Sequence, residues 1–284
     1  MLLGSHLSIR NGPHHALRKA GQYGFGTVGM FVRNQLQWRV PPLRDEAVAE
    51  FRRTRRRLGI SPVVAHGSYL VNLAGRSAVR RKSIAAVRAD LQRCGRLGIE
   101  YLVLHPGSRA DADAGARLIA DGVNEVFDAL SCRRPKLLVE TTAGAGHCIG
   151  HTFEQIAAIL SRVRRPRRVG VCLDTCHVFA AGYDLRRPEA YRRTMRHFDR
   201  VVGLDRLGAI HLNDSRGELG SRRDRHEHIG RGRIGKGGFR NFVNDRRLAH
   251  VPMILETPKG TDDSGRDWDE INAETLRRLA RRSP

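Results

Sequence analysis

The feature that most constrains the fold is an apolar stretch, residues 169–173, that ends at the carboxylate of Asp174, with His177 three positions later. A short apolar run of this kind predicts a fully buried strand. Parallel α/β sheets and barrels keep their chemistry at the carboxyl ends of such strands. Asp174 and His177 therefore indicate a functional site, although an Asp that caps a helix beside a surface His would give the same pattern.

Strand-like and helix-like segments alternate along the whole sequence. The strand-like segments are residues 2–6, 27–32, 60–65, 99–104, 136–139, 169–173, 209–212 and 252–255. Helical patterns include residues 44–58, 77–97, 113–130, 153–163, 188–202 and 269–281, and a long polar loop spans residues 213–238. Strict βα alternation implies parallel strands, and eight such units predict an α/β fold of the (β/α)8 TIM-barrel type. No linker or repeat divides the chain, so one domain over residues 1–284 is expected.

Six consecutive predicted strand ends carry only His, Asp or Glu. They are His66, His105, Glu140, Asp174, His211 and Glu256. Carboxylates gathered in one barrel mouth repel each other and require cations, and neutral imidazoles among them indicate metal ions. Nitrogen and oxygen donors without thiolates suit Zn²⁺, Mn²⁺ or Fe²⁺. His177, Asp224 and His226 add three further donors, more than one catalytic zinc requires, so a cluster of two or three metals is predicted.

The charge balance points to a polyanionic partner. The chain has 51 Lys+Arg against 29 Asp+Glu, a formal net charge of +22. A preference for Arg over Lys can reflect genome base composition, but that preference alone does not create an excess of cations. Nucleic acid is the commonest polyanion, and multi-metal sites typically catalyse displacement at phosphorus. Together the two features favour hydrolysis of a nucleic-acid backbone.

The cysteine pattern and the N-terminal sequence predict a reducing, cytoplasmic environment. The five cysteines, Cys94, Cys132, Cys148, Cys172 and Cys176, are odd in number and form no CxxC motif. This pattern favours a reducing environment without disulfides. No signal peptide or membrane-length apolar run is evident, so a cytoplasmic protein without a membrane partner is expected.

Three long motifs in order show that the sequence resembles the endonuclease IV family of zinc-dependent apurinic/apyrimidinic endonucleases. They are Leu-Val-Glu-Thr-Thr-Ala-Gly at 138–144, Gly-Val-Cys-Leu-Asp-Thr-Cys-His at 170–177 with Ala-Ala-Gly-Tyr-Asp at 180–184, and His-Leu-Asn-Asp at 211–214 followed by Gly-Ser-Arg-Arg-Asp-Arg-His-Glu-His-Ile-Gly at 220–230. The resemblance spans essentially the full chain and strengthens the barrel prediction.

The resemblance implies three zinc ions, with Mn²⁺ as an alternative at one position. The first would be held by His66, His105 and Glu140. The second would be held by Glu140, Asp174, His211 and Glu256, with Glu140 bridging the pair. The third would be held by His177, Asp224 and His226. His228 is close enough in sequence to compete with His226, which motif position favours.

The implied activity is DNA repair. Hydroxide held between the first two zinc ions would attack the phosphate 5′ to an abasic site in double-stranded DNA, and the third ion would stabilise the leaving 3′ oxygen. Glu140 is the expected catalytic residue, orienting the nucleophile. The same attack would clean blocked DNA 3′ ends. The family precedent favours a monomer.

Two loops are expected to contact DNA. Asn34, Gln35 and Leu36 follow the second strand, and Tyr69 and Leu70 follow His66. Apolar side chains there would prop open a base step, although ordinary anchoring of the loops to the barrel is the alternative.

Other residues carry weaker expectations. Leu36 stands where some relatives place Arg, and Ala145 where they often carry a longer polar residue; both departures should affect DNA affinity rather than chemistry. Residues 232–236 resemble a phosphate loop only superficially and are interpreted as a loop touching the DNA backbone. His6 is expected to hydrogen bond rather than to bind metal.

Two other functions compete with this interpretation. A metal-dependent sugar isomerase or epimerase would share the barrel and the strand-end donors, but would gain nothing from the positive charge and would lack the Asp224–His226 element. A DNA-binding protein with degenerate catalysis would require missing ligands, and none is missing.

Overall fold

Eight parallel strands form one sheet that closes on itself. The computed structural model describes residues 1–132 and 134–280. The strands are β1 (Leu2–Ser5), β2 (Val28–Phe31), β3 (Val63–His66), β4 (Tyr101–Leu104), β5 (Lys136–Glu140), β6 (Val169–Asp174), β7 (Leu207–Leu212) and β8 (Pro252–Leu255). Their order is β1-β8-β7-β6-β5-β4-β3-β2, with every neighbouring pair parallel. The predicted TIM barrel is therefore confirmed.

The barrel closes between β1 and β2 through few contacts. His6 and Gly29 form an isolated parallel bridge, and the Leu7 amide donates to the Gly29 carbonyl at 2.8 Å. Glycine is required at position 29, because a Cβ there would lie 2.6 Å from Ile254 Cγ2 and 3.2 Å from His6 Cα. The missing side chain thus lets the first two strands approach.

Helices cover the outside of the barrel. They are α1 (Pro13–Gln22), α2 (Asp45–Leu58), α3 (Ser77–Leu97), α4 (Ala112–Asp128), α5 (Phe153–Leu160), α6 (Thr175–Ala180), α7 (Pro188–Val201), α8 (Gly235–Val243) and α9 (Trp268–Leu279). Each main helix packs an apolar face on the sheet, as where Phe51 is buried in the otherwise Arg-rich α2. Across the described part of the chain, no helix combines the length and apolarity needed to cross a bilayer.

The structure corrects two sequence expectations. Strict alternation missed α6, which starts directly after Asp174. The segment 213–238 is not one loop, because Asp214–Ser215 pairs antiparallel with His226–Glu227 to form a small rim hairpin, and α8 begins at Gly235. Arg281, the expected end of the last helix, lies outside the described residues.

An inner layer of apolar side chains fills the barrel below its mouth. Its buried members are Val64, Val103, Leu138, Cys172, Ala209 and Ile254. Side chains two residues apart on a strand point to the same face. The next inward position on each of these strands is therefore one of the six predicted strand-end donors, and the strand period alone aims them into the mouth.

Candidate metal centre

Glu140 lies at the middle of the barrel mouth and is fully buried. One carboxylate oxygen, Oε2, is 3.1 Å from His66 Nε2 and 3.1 Å from His105 Nε2. The other, Oε1, is 2.8 Å from His211 Nδ1. The ligand atoms of His66, His105 and Glu140 all lie within 4.8 Å of one another, so these residues form a compact set of donors.

A second set shares Glu140. His211 Nδ1 is also 3.0 Å from Glu256 Oε2, and the ligand atoms of Glu140, Asp174, His211 and Glu256 lie within 4.8 Å of one another. The two sets correspond residue for residue to the first two predicted zinc sites. We call the six residues the strand set, because each lies in the last two positions of a strand or directly after it. They are His66, His105, Glu140, Asp174, His211 and Glu256.

The three remaining predicted donors lie on the rim and are called the rim set. His177 is on α6, Asp224 is in the loop of the rim hairpin, and His226 is in its second strand. His177 Nε2 is 3.2 Å from Asp224 Oδ2, and His226 Nε2 is 3.4 Å from Asp224 Oδ1. The structure therefore brings all nine sequence-selected donors to one end of the barrel.

Asp174 belongs to the strand set but also reaches the rim set. Its ligand atom lies within 4.8 Å of those of His177 and His226, which the sequence interpretation did not anticipate. The same carboxylate caps α6, accepting from the His177 amide at 2.8 Å. The helix-cap interpretation of Asp174 is thus correct, and it does not exclude a metal-binding role, whereas His177 is 2 % exposed and is not a surface residue.

Three imidazoles are oriented by backbone carbonyls. The Nδ1 of His66 donates to the Gly67 carbonyl at 2.8 Å, that of His177 to Thr141 at 2.8 Å, and that of His226 to Glu256 at 3.0 Å. Each ring therefore presents its Nε2 to the carboxylates. Hydrogen bonding of the outer nitrogen is typical of metal-binding histidines, because it fixes the tautomer and the ring plane.

The donor chemistry fits divalent cations. His226 Nε2 is buried without a hydrogen-bond partner among the described residues, an arrangement that costs free energy unless something binds the atom. The nine donors are imidazole nitrogens and carboxylate oxygens, which suit Zn²⁺ and neighbouring transition metals. The residues present thus fit the metal ions that the sequence predicted.

The close packing of carboxylates and imidazoles in the barrel mouth shifts their pKa values. Burial opposes ionisation of Glu140, yet the charges and hydrogen bonds of His211 and His105 hold its pKa well below the ordinary value. Burial also opposes protonation of His211, but the Cys172 thiol and the carboxylates of Glu256 and Glu140 raise its pKa well above the usual range. The Glu140 carboxylate therefore carries its negative charge at neutral pH, and the neighbouring imidazoles offset that charge.

Asn213, to which the sequence interpretation gave no role, is a buried residue that contacts two of the candidate ligands. Its side-chain amide donates to Asp174 Oδ2 at 2.6 Å, and its carbonyl oxygen accepts from the Glu256 amide at 2.8 Å. Asn213 therefore holds Asp174 and Glu256, two members of the strand set, at a fixed distance from each other. The available signal was its place directly after β7 in the His-Leu-Asn-Asp motif.

The two other strand ends carry His6 and Phe31, whose rings pack with centroids 4.6 Å apart. The expected hydrogen bond of His6 is not made by its Nε2, which is buried with no hydrogen-bond partner in the described chain. Burial lowers the pKa of His6 to about 3.

His228 lies apart from the rim set. Its ring stacks on Trp268 with centroids 3.8 Å apart, and its Nδ1 faces the Asn272 side-chain amide at 3.2 Å. His228 appears in none of the donor groups that the described residues form. These contacts favour His226 over His228 as a metal ligand.

The two predicted DNA-contacting loops are neighbours on the rim. Leu36 is 65 % exposed and Tyr69 is 55 % exposed, high values for such large apolar side chains. The Ser68 hydroxyl donates to the Gln35 carbonyl at 2.6 Å and so ties the loops together. Asn34 is exposed, and Gln35 and Leu70 are partly buried.

The loop after β2 is supported from below. Arg33 is buried and makes a two-pronged contact with Asp90 on α3, at 2.7 and 3.2 Å. Its Nη1 donates to the Gln37 carbonyl. The anchoring is thus supplied by Arg33, and the tip that carries Leu36 remains free to contact a partner.

Positive charge is concentrated beside the rim set. The segment between β7 and α8, with the first turn of α8, carries seven exposed cationic side chains: Arg216, Arg222, Arg223, Arg225, Arg231, Arg233 and Lys236. Arg216 and Arg233 pair with Glu227 and Glu218, respectively. The mouth therefore combines a buried cluster of anionic donors with an exposed cationic border.

Comparisons with known proteins agree with this geometry. The family model described as "Xylose isomerase-like TIM barrel" matches residues 17–282. A protein of Geobacter sulfurreducens named "Probable endonuclease 4" is 47% identical over 283 residues, covering 99% of this chain and 95% of that protein. One from Chloroflexus aggregans with the same name is 44% identical, covering 98% and 97%.

This chain also superposes on solved structures of the same fold. Endonuclease IV from Thermus thermophilus superposes with a TM-score of 0.88 at 38% identity, with 98% of each chain covered. A D-tagatose 3-epimerase-like protein superposes with a TM-score of 0.74 at 16% identity, covering 98% of this chain and 97% of that one. The second likeness concerns the fold alone.

Proposed function

Because this chain belongs to the endonuclease IV family, within the xylose isomerase-like TIM barrels, we propose that it hydrolyses the phosphodiester bond 5′ to abasic sites in double-stranded DNA. We extend the proposal to the removal of blocking groups from DNA 3′ ends, which requires the same attack at phosphorus. The observation that carries it is the convergence of nine imidazole and carboxylate donors in one mouth bordered by exposed arginines.

The proposed metal ligands are those of the sequence prediction, in three groups of which the first two share Glu140. Zinc ions bound to them would supply an activated water and neutralise charge on the attacked phosphate, with Mn²⁺ as an alternative at one position. Glu140 is the proposed catalytic residue. Its buried carboxylate contacts His66, His105 and His211, so it is placed to orient a nucleophile at the centre of the strand set.

The protein's own residues also fix the orientation of the imidazoles. The outer nitrogens of His66, His177 and His226 are hydrogen bonded to backbone carbonyls, so their inner nitrogens face the mouth, where they would bind metal once deprotonated. Asp174 is held from two sides, by the His177 amide and by the Asn213 side chain. The donors are therefore positioned before substrate arrives, which reduces the reorganisation needed in the transition state.

Leu36 and Tyr69 are the proposed gap-filling side chains, with Asn34, Gln35 and Leu70 completing the contact surface. An abasic nucleotide has no base to unstack, so extruding it costs less than flipping a paired base. Exposed apolar groups beside the mouth would occupy the space it leaves and hold the duplex bent. The cationic border would contact the flanking phosphates.

A duplex with a single abasic site tests the proposal. We expect nicking on the 5′ side of the lesion, abolished by a chelator and restored by Zn²⁺, and no nicking of the intact duplex. Mapping the product ends distinguishes 5′ cleavage from β-elimination on the 3′ side. A substrate with a 3′-phosphoglycolate end tests the end-cleaning activity.

The same preparation should be incubated with aldoses and ketoses. Conversion of a sugar with no DNA cleavage would replace the proposal by the isomerase alternative. Tight binding of the abasic duplex without cleavage, at full metal content, would favour the DNA-binding alternative. We expect a monomer in solution, which sedimentation would measure.

A further inference from the structure

A carboxylate outside both donor sets lies inside a ring of backbone amides. Residues 230–235 read Gly-Arg-Gly-Arg-Ile-Gly, and four of their six N–H groups point inward, so we call them the nest loop. The Asp214 carboxylate accepts from Gly230 and Gly232 through Oδ2, at 2.9 and 3.0 Å. It accepts from Ile234 through Oδ1 at 2.9 Å and from Gly235 at 3.2 Å. The Ser215 amide adds a fifth donor at 2.8 Å.

The Asp214 side chain is wholly buried, and no cationic side chain of the described residues pairs with it. A buried carboxylate without a counter-ion is costly unless hydrogen bonds replace its hydration. Here backbone amides alone provide them. Such a concave ring of amides is the arrangement with which phosphate loops hold an external anion.

The nest loop is therefore already occupied by the protein's own anion. The resemblance of residues 232–236 to a phosphate loop has a physical basis, but the backbone amides are not available to DNA. Any contact with a DNA phosphate must come from the side chains. Arg231, Arg233 and Lys236 are all exposed around this loop.

Steric contacts fix the loop around Asp214. A Cβ at position 232 would lie 2.5 Å from Asp214 Oδ1 and 2.4 Å from the Ser215 carbonyl oxygen, so only glycine fits there. Ile229 and Ile234 bury their side chains on either side of the exposed arginines. The loop is thus packed tightly around the carboxylate, with no room for a side chain at position 232.

Asp214 also belongs to the rim hairpin. Asp214 pairs with Glu227, and Ser215 pairs with His226, a member of the rim set. One residue therefore contacts the nest loop through its side chain and the His226 strand through its backbone. The Arg233 amide donates to the Ser215 carbonyl at 2.7 Å and strengthens the same junction.

We propose that Asp214 is a positioning residue whose carboxylate locks the nest loop against the rim hairpin, fixing His226 and the cations Arg231, Arg233 and Lys236 as one unit. This inference rests on the proposed function, because it assigns that unit to the rim metal and to the DNA backbone. Asp214 touches neither metal nor substrate in this role and acts through the residues that it holds.

Asp214→Asn in the metal-loaded, full-length protein tests it. The amide group would present N–H donors to backbone N–H groups and remove the charge that they surround. We expect amide hydrogen exchange to accelerate in residues 226–236 and not in β3–β5, and one metal ion per chain to be lost. Affinity for the abasic duplex should fall about tenfold, the worth of one charge-assisted hydrogen bond.

Asp245→Asn is the matched control. Asp245 also caps backbone, accepting from the Arg247 amide at 3.1 Å, but it lies between α8 and β8, away from the mouth. It should leave exchange in residues 226–236, metal content and DNA affinity unchanged. If Asp214→Asn does not fold, Gly232→Ala keeps the carboxylate but forces the loop away, and should give the same three changes.

Unchanged exchange and full metal content in both Asp214→Asn and Gly232→Ala would overturn the inference. Exchange and metal content are measured without DNA cleavage. If the wild-type protein failed to cut abasic DNA, the proposed function would fall while these two measurements still decided whether Asp214 locks the loop.

Discussion

The strand set and the rim set differ in what holds them. Glu140, Asp174 and His211 are essentially unexposed, and their backbones are fixed by the pairing of β5, β6 and β7. In the rim set His177 is buried on α6, but Asp224, whose side chain is 44% exposed, lies in a loop, and His226, which is 20% exposed, lies in a two-residue strand. The barrel builds the first set, whereas local contacts must build the second.

The difference has a general physical reason. Pairing in a parallel sheet determines both the height and the direction of a side chain at a strand end. A residue in a loop has no such constraint and needs dedicated partners. In this protein the partners of the rim set include the Thr141 and Glu256 carbonyls. We therefore expect substitutions in one set to release metal from that set alone. Substitutions in the strand set should reduce the catalytic rate more than those in the rim set.

The largest effect should follow Glu140→Gln. Its charge is shared by two predicted metal sites, and the amide would turn an N–H group toward a histidine nitrogen. We expect kcat on the abasic duplex to fall about a thousandfold or more, with loss of metal from the strand set.

Glu125→Gln, an exposed change on α4, is the control for Glu140→Gln and should behave as wild type. If the Glu140→Gln protein kept its metal ions and its rate stayed within tenfold of the wild-type rate, the strand set would not be the catalytic site.

Asp224→Asn should have the next largest effect. Asp224 contacts only His177 and His226 among the donors, at 3.2 and 3.4 Å. We expect a rate loss of about a hundredfold and the loss of one metal ion, with the strand set still loaded. Elemental analysis and single-turnover rates measure both. Simultaneous release of every metal ion would show that the two sets bind metal as one cooperative unit. That outcome would contradict the expectation that the two sets are held independently.

The free energy of unfolding should depend on pH in opposite directions in the metal-free and the metal-bound protein. In the metal-free protein, burial opposes protonation of His66, His177 and His211, but neighbouring carboxylates outweigh it and raise the pKa of each above the ordinary 6.5. Their contribution to stability is complete below pH 6.5 and is lost as pH rises through the raised pKa of each group. Each pKa unit is worth about 1.4 kcal/mol.

The free energy of unfolding of the metal-free protein should therefore fall between pH 6 and pH 9. With Zn²⁺ bound it should rise over the same range, because metal binds only the deprotonated imidazoles. Urea unfolding at both pH values, with and without a chelator, measures this. His250→Gln, at an exposed site, should not change the slopes. Metal-free protein that is more stable at pH 9 than at pH 6 would contradict the electrostatic description of the mouth.

The smallest effects should come from the exposed rim outside both sets. Leu36→Ala and Tyr69→Ala should weaken binding of the abasic duplex by about tenfold each, the value of burying one such side chain, and leave metal content unchanged. Leu58→Ala is a matched control, since Leu58 is 38% exposed at the far end of α2. Equal binding by all three variants would assign Leu36 and Tyr69 to the structure of the loops rather than to DNA contact.

Much of the strand set could be predicted from sequence, for a physical reason. Each short apolar run identifies a strand, and the next inward position after it is determined by the two-residue period. Glu140 and Asp174 were found in this way, and the position of Asn213 could have been noticed too. The residue types of the rim set mark His177, Asp224 and His226 as candidate donors, but only the family resemblance groups them on one metal ion, because no periodicity relates Asp224 and His226 to a strand end.

The sequence by itself determined the barrel, the identity of the strand-end donors and the excess of positive charge, since these depend on local pattern and composition. Only the tertiary structure showed that Asp174 lies within reach of both donor sets, that His228 packs against Trp268 and Asn272, and that the Asp214 carboxylate occupies the nest loop. These contacts join segments distant in sequence. Their geometry depends on how the closed sheet brings its strand ends and loops together.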